Sequence, residues 1–224
     1  MKRNQSGFTL IEIAIVLVII GLLLGGVLKG QELINSAKVK NLATDFRNVP
    51  VYVYGYQDKY HALPGDDAQV ASHVGSTATL ASSTTNLGNG VINGAWNATG
   101  AVESHMFWQQ VRLAGLAAGP TTDAATTDLH PANAMGGIIG ITNSSNTDDP
   151  IAGLTGSFIV CSNNIPGKFA LQLDIALDDG NTATGSLRVA ANVTGSTASA
   201  SAVAETNATV SANPDTPYLV CQGY

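Results

Sequence analysis

The feature that most limits what this chain can fold into is an apolar run close to its start. From Phe8 to Leu28 the sequence reads FTLIEIAIVLVIIGLLLGGVL, 21 residues with a single charge, Glu12. At 1.5 Å per residue, a helix of that length crosses the ~30 Å hydrocarbon core of a bilayer. Lys2 and Arg3 precede it, and the positive-inside bias keeps that end in the cytoplasm and sends the rest outward. Lys29, Lys38 and Lys40 lie on the far side and reduce the asymmetry. A secretory signal would have a shorter apolar core followed by a small-residue cleavage site. Here the small residue, Gly7, stands before the run instead. An uncleaved signal anchor is the plain alternative, and it leaves Glu12 unexplained. A lone carboxylate at that depth is costly unless it is paired.

The sequence Gly7-Phe8-Thr9-Leu10-Ile11-Glu12, after a basic leader and before the apolar helix, resembles the class III signal of type IV pilins and type II secretion pseudopilins. The likeness covers residues 1–60. It implies that a membrane-embedded prepilin peptidase cuts between Gly7 and Phe8 and methylates the new Phe8 amine. It also implies that an inner-membrane assembly platform builds identical or related subunits into a helical filament. Cleavage would place a positive amine at Phe8, four residues from the Glu12 carboxylate. Subunits offset along a fibre axis could set the Phe8 amine of one against Glu12 of the next. Such a pair neutralises both charges and sets register more than it adds stability. The chain therefore divides into a leader at 1–7, a long helix at 8–60 and a periplasmic or extracellular head at 61–224. Within the helix, 8–28 is the membrane span and filament core.

Beyond the membrane, Val39, Leu42, Phe46, Val49, Val53, Tyr56 and Tyr60 recur at steps of three and four, a helical seam. The spacing predicts one helix from Phe8 to Tyr60, on the order of 80 Å long. Pro50 is expected to kink it, having no amide and a ring that crowds the preceding turn. Gly21, Gly25, Gly26 and Gly30 weaken the first half and allow close helix approach.

The head reads as α+β, pilin-like, with an antiparallel sheet against the long helix. Pro64-Gly65 marks a turn, and the low-complexity stretch 75–86 a mobile loop. Residues Glu103–Ala118 predict a well-buried helix stopped by Gly119-Pro120. Short apolar runs at 137–142 and 157–162 predict strands. Phe169, Leu171, Leu173, Ile175 and Leu177 alternate with other residues, predicting a half-buried strand. Asp178-Asp179-Gly180-Asn181 is turn chemistry, with Gly185–Val189 as a returning hairpin partner. Residues 193–213 read as a Ser/Thr/Ala-rich loop, after which Tyr218–Cys221 returns to the strand bearing Cys161.

Cys161 and Cys221 form one bridge if the domain lies outside the cytoplasm, and otherwise two buried thiols. A bridge closing that loop stabilises by roughly 4 kcal/mol. Its placement is similar to the C-terminal disulfide that bounds a surface loop in type IV pilins. Residues 62–67, 108–116 and 177–180 with Gly185 look like a subgroup of pilin-like proteins with larger heads.

From residue 60 onward twelve acidic residues face only Arg112, Lys168 and Arg188, a balance of −9. That lacks the basic footprint of phosphate recognition, so no direct nucleic-acid partner is expected. The adjacent pairs Asp66/Asp67, Asp148/Asp149 and Asp178/Asp179 are weak calcium candidates without EF-hand spacing, since Asp is also routine at turns and caps. No other cofactor is expected. Gly88–Gly94 (GNGVING) has the wrong spacing for a dinucleotide fingerprint and reads as a turn. His61, His73, His105 and His130 are scattered without metal-ligand spacing. No G-x-S-x-G, H-E-x-x-H or Walker motif is present. The expectation is a structural subunit and not an enzyme, anchored in the bacterial inner membrane and then built into a surface pilus or periplasmic pseudopilus. The alternative is a membrane-anchored periplasmic binding domain that never polymerises. On this reading Glu12 tells the two apart, because a monomeric anchor gains nothing from a buried acid.

Overall fold

The structure, a computed structural model, describes residues 9–82, 87–122, 128–144, 150–191 and 202–224. By compactness the chain falls into two units, Met1–Lys38 and Val39–Tyr224. A single helix, α1 (Leu10–Tyr60), supplies the first unit and begins the second.

In the first unit the side chains of Leu10, Ile11, Ile13, Leu17, Leu22 and Leu28 are all exposed, as are the apolar residues between them. An apolar helix with no buried face suits a lipid environment, and this stretch is long and apolar enough to cross a membrane.

In the second unit α1 buries Val39, Leu42, Ala43, Phe46, Val49, Pro50, Val53 and Tyr56. That is the stripe the sequence spacing marks out, except that Tyr60 is only half-buried. The helix runs unbroken through Pro50. Proline cannot donate to the carbonyl four residues back, and the orphaned Phe46 oxygen instead lies 2.8 Å from the Tyr224 hydroxyl.

Among the described residues the sheet has four strands, β1 (Ile139–Thr142), β2 (Ile159–Pro166), β3 (Leu187–Ala191) and β4 (Pro217–Gly223), in the order β1-β2-β4-β3. All pairings are antiparallel. Alternation sorts its residues to two faces. Val160, Leu187, Val189 and Val220 join the main core with α1. Ile159, Cys161, Leu219 and Cys221 form a second cluster with Trp96, Ile151 and Leu154. Cys161 and Cys221 face each other directly across β2 and β4, their Cα atoms 4.1 Å apart, and are disulfide-bonded. Gly140 stands beside Cys161 on β1, and a Cβ there would lie 1.8 Å from the Trp96 carbonyl. Only glycine lets Trp96 close over the bridge.

Among the described residues, four further helices are α2 (Val70–Val74), α3 (Glu103–Leu113), α4 (Gly167–Leu177) and α5 (Asn207–Ala212). Several expectations need correction. The stretch 169–177 is helix α4, not a strand. Its buried residues Phe169, Ala170, Leu173 and Asp174 follow a helical period, and Ile175 is 70% exposed. Residues Leu187–Ala191 therefore pair with β4 instead of returning against 169–177.

Helix α3 is buried as expected but ends at Leu113, not at Ala118. Gly115, at φ +78°, lets its own amide reach Arg112 O and that of Leu116 reach Val111 O, the paired bonds of a Schellman stop. Within the loop expected at 193–213, residues 207–212 are helical, and 193–201 lie outside the described residues. The described part of 75–86 is tethered. Thr79 N donates to Gln109 Oε1 (2.7 Å), Ser82 N donates to Ala101 O (2.7 Å), and Ala81 is buried.

Candidate functional site

Asp66, Asp67, Asp178 and Asp179, singled out in the sequence, all accept hydrogen bonds from within the chain. Asp66 is buried; its Oδ1 accepts the amides of Gly88 (2.6 Å) and Asn89 (3.3 Å), and its Oδ2 that of Gly90 (2.7 Å). The glycine-rich stretch is therefore a loop, as expected, and its converging amides form a nest around a carboxylate. Asp67 accepts from the Tyr56 hydroxyl (2.7 Å) and the Gln69 amide (2.8 Å), and pairs with His73 Nδ1 at 2.6 Å. Burial, and then the Asp67 contact, push the Tyr56 phenol far above its ordinary value. Asp66, Asp67, Gln69 and His73 edge a cleft of about 650 Å³ that also takes in Tyr60 and His61.

Asp178 accepts the Leu187 amide (2.8 Å), while Asp179 accepts the Asn181 amide (2.8 Å) and the Thr184 hydroxyl (3.0 Å). Each of these four acids thus closes a turn or a loop. Asp148 and Asp149 lie outside the described residues.

Other buried polar groups escape sequence reasoning. Glu103, in the first turn of α3, accepts the Asn93 amide (2.7 Å) and side-chain N–H (2.9 Å) through Oε2. Burial pushes this carboxyl up. Asp174 accepts the Gly180 amide at 2.7 Å, and burial pushes its carboxyl up to about 6. His105 and His130, expected to be unrelated, both turn toward Asp128. The local trace of that grouping is the step Asp128-Leu129-His130. Burial holds the His130 imidazole below its usual value, against the opposing pull of Asp128.

At the start of α1 the polar groups are reciprocal. Thr9 donates its amide (2.7 Å) and its hydroxyl (2.6 Å) to Glu12 Oε2, and the Glu12 amide donates to Thr9 Oγ1 at 3.3 Å. This is a capping box, with Thr9 at the N-cap and Glu12 three residues on. It occupies two donors that an α-helix leaves open at its first turn. It also gives Glu12 a role within one chain, which corrects the idea that a monomeric anchor gains nothing from this acid. Thr9 was not singled out in the sequence, although the spacing T-x-x-E before an apolar run signals such a box. Gly7 and Phe8 lie outside the described residues.

Residues 2–28 match the prokaryotic N-terminal methylation motif. This is the class III prepilin signal of type IV pilins and pseudopilins. No curated protein and no solved structure matches the chain. The prepilin signal ends at Leu28, so it speaks for the apolar helix and not for the head. Together with the exposed apolar surface of α1, it fits membrane anchoring. Over these residues it resembles the signal carried by substrates of a prepilin peptidase.

Proposed function

We propose that this chain is a structural filament subunit. A prepilin peptidase cuts it between Gly7 and Phe8 and methylates the Phe8 amine. The subunit then leaves the inner membrane through an assembly platform and polymerises by its N-terminal helix, with identical or related subunits, into a pilus or secretion pseudopilus. The match of residues 2–28 to the prepilin signal carries this reading. Two structural facts support it. Glu12 sits in the first turn of α1, the position at which the proposed pairing with a neighbour's Phe8 amine needs its charge. The disulfide between Cys161 and Cys221 suits a head outside the reducing cytoplasm. In the fibre, Glu12 would add the neighbour's amine to the two Thr9 donors it already accepts, since a carboxylate has lone pairs for both.

Intact mass and N-terminal sequence should be measured on the protein from sheared surface filaments and from membranes. Methyl-Phe8 at the N-terminus of fibre protein is the expected result for a pilus, and methyl-Phe8 in a periplasmic fibre the result for a pseudopilus. A Met1 start in cells with a working peptidase would overturn the proposal. So would processed protein that never sediments with filaments, which would indicate a non-polymerising anchored domain.

A further inference from the structure

We infer that His105, Asp128 and His130 form a site for one divalent transition ion of the zinc type, where α3 meets the chain entering β1. The site lies in the head and does not depend on how the N-terminal helix is used. Asp128 Oδ1 lies 3.2 Å from His105 Nε2 and 2.7 Å from His130 Nδ1. All three ligand atoms fall within 4.8 Å of one another. Ligands about 2.0–2.1 Å from zinc in a tetrahedron stand roughly 3.3 Å apart.

The far side of each ring indicates what its near side offers. His105 Nδ1 lies 2.8 Å from the Gly100 carbonyl, and His130 Nε2 lies 3.2 Å from the Trp96 carbonyl. Each imidazole therefore has an acceptor at both nitrogens, a carbonyl on the far side and the Asp128 carboxylate on the near side, and a neutral ring has one proton to give. When that proton sits on the far nitrogen, the near nitrogens present lone pairs beside the Asp128 carboxylate, and three ligand atoms converge on one point. A cation resolves that arrangement. Anchoring a ligand histidine by its outer nitrogen to a carbonyl is also how protein zinc sites orient their rings. Two imidazoles with one carboxylate select a borderline ion such as Zn²⁺ over Ca²⁺ or Mg²⁺.

Both imidazoles are buried, whereas the Asp128 side chain is 47% exposed. That gives the ion a way in and leaves a coordination position open to water. The ion would tie the first turn of α3 to residues 128–130 and to the Trp96 loop that covers the disulfide.

The test uses the untagged full-length protein in detergent, stripped with a chelator and titrated calorimetrically with ZnCl₂. One saturable site per chain is expected, with a melting temperature raised by roughly 5–10 °C at a hundredfold excess over Kd. Asp128→Asn should weaken binding by about tenfold or more, because losing even an outer-shell partner costs that much. His73→Gln, which alters the separate contacts of His73 with Asp67 and Tyr60, should leave it unchanged. X-ray absorption of the zinc-loaded wild type should show two imidazoles and an oxygen, a readout that stands even if Asp128→Asn misfolds. Absence of saturable binding, equal affinity in Asp128→Asn, weakened binding in His73→Gln, or a zinc shell without imidazole would each overturn the assignment.

Discussion

At Glu12 two physical roles overlap in one side chain, and they respond differently to substitution. The capping box needs an acceptor at this position, which glutamine also supplies. Pairing with a neighbour's amine needs the negative charge, which glutamine lacks. We expect Glu12→Gln and Glu12→Ala both to be cut after Gly7, and both to lose sheared-fibre yield by about tenfold or more, equivalent to roughly 1.4 kcal/mol per contact. A Gln variant with full fibre yield beside a deficient Ala variant would assign the residue to helix capping alone. Asp174 carries a different residue-scale consequence. Its folded value of about 6 lies above the ordinary 3.8 because the group is buried. Between those values the folded chain holds a proton that the unfolded chain has released, so this contribution to stability is present at low pH and lost as pH rises through 6. Asp174→Asn keeps an acceptor for the Gly180 amide and removes the charge. Thermal melts should show the variant above wild type by a few degrees at pH 7 and level with it near pH 4. An unchanged difference across that range would refute the assignment.

Among the elements, α1 depends on a residue 178 positions away. Pro50 leaves the Phe46 carbonyl without its helical partner, and the Tyr224 hydroxyl fills that place. Tyr224→Phe keeps the ring stacked on Phe158 and removes the hydroxyl, which also lies 2.8 Å from Gln222 Oε1. Leaving a buried carbonyl unpaired should cost about 1–2 kcal/mol in urea unfolding of the intact chain in detergent. A loss below a few tenths would mean that water takes over the bond. The element pattern also shows what the sequence could reveal. The seam from Val39 to Tyr56 was legible because its period repeats over five turns and has no competing reading. In α4, five apolar residues at every second position imitated a strand. The composition argued otherwise, since Ala170, Leu171, Gln172, Leu173 and Ala176 favour helix and only Ile175 is β-branched. The stop of α3 was misplaced because Gly119-Pro120 is the louder breaker, while Gly115 acts first. Acids at turns could be anticipated from residue type. The meeting of His105 with Asp128 could not, because 23 residues separate them and only the tertiary fold brings them together.

For the whole molecule, the disulfide is the one covalent cross-link in an acidic head. Cys161 and Cys221 are 60 residues apart in sequence and enclose α4, β3 and α5. Closing a loop of that length removes unfolded-state entropy worth roughly 4 kcal/mol. Both sulfurs are buried beneath Trp96, Ile151 and Leu154. A reductant in solution therefore reaches the bridge only after the sheet opens, and the reduction rate of the folded protein should follow its unfolding rate. The double variant Cys161→Ala/Cys221→Ala should then lower the melting temperature by roughly 10 °C, the entropy term taken at 2–4 °C per kcal/mol for a domain of this size. Cavity loss from two missing sulfurs adds to that figure. If the double variant melts within a degree or two of wild type, the β2–β4 ladder and the Trp96 cluster hold the head unaided. If the fall is as large as expected, heads reduced before export would be open to proteases, and filament yield in a strain lacking periplasmic disulfide formation should fall with head stability, not with cleavage after Gly7.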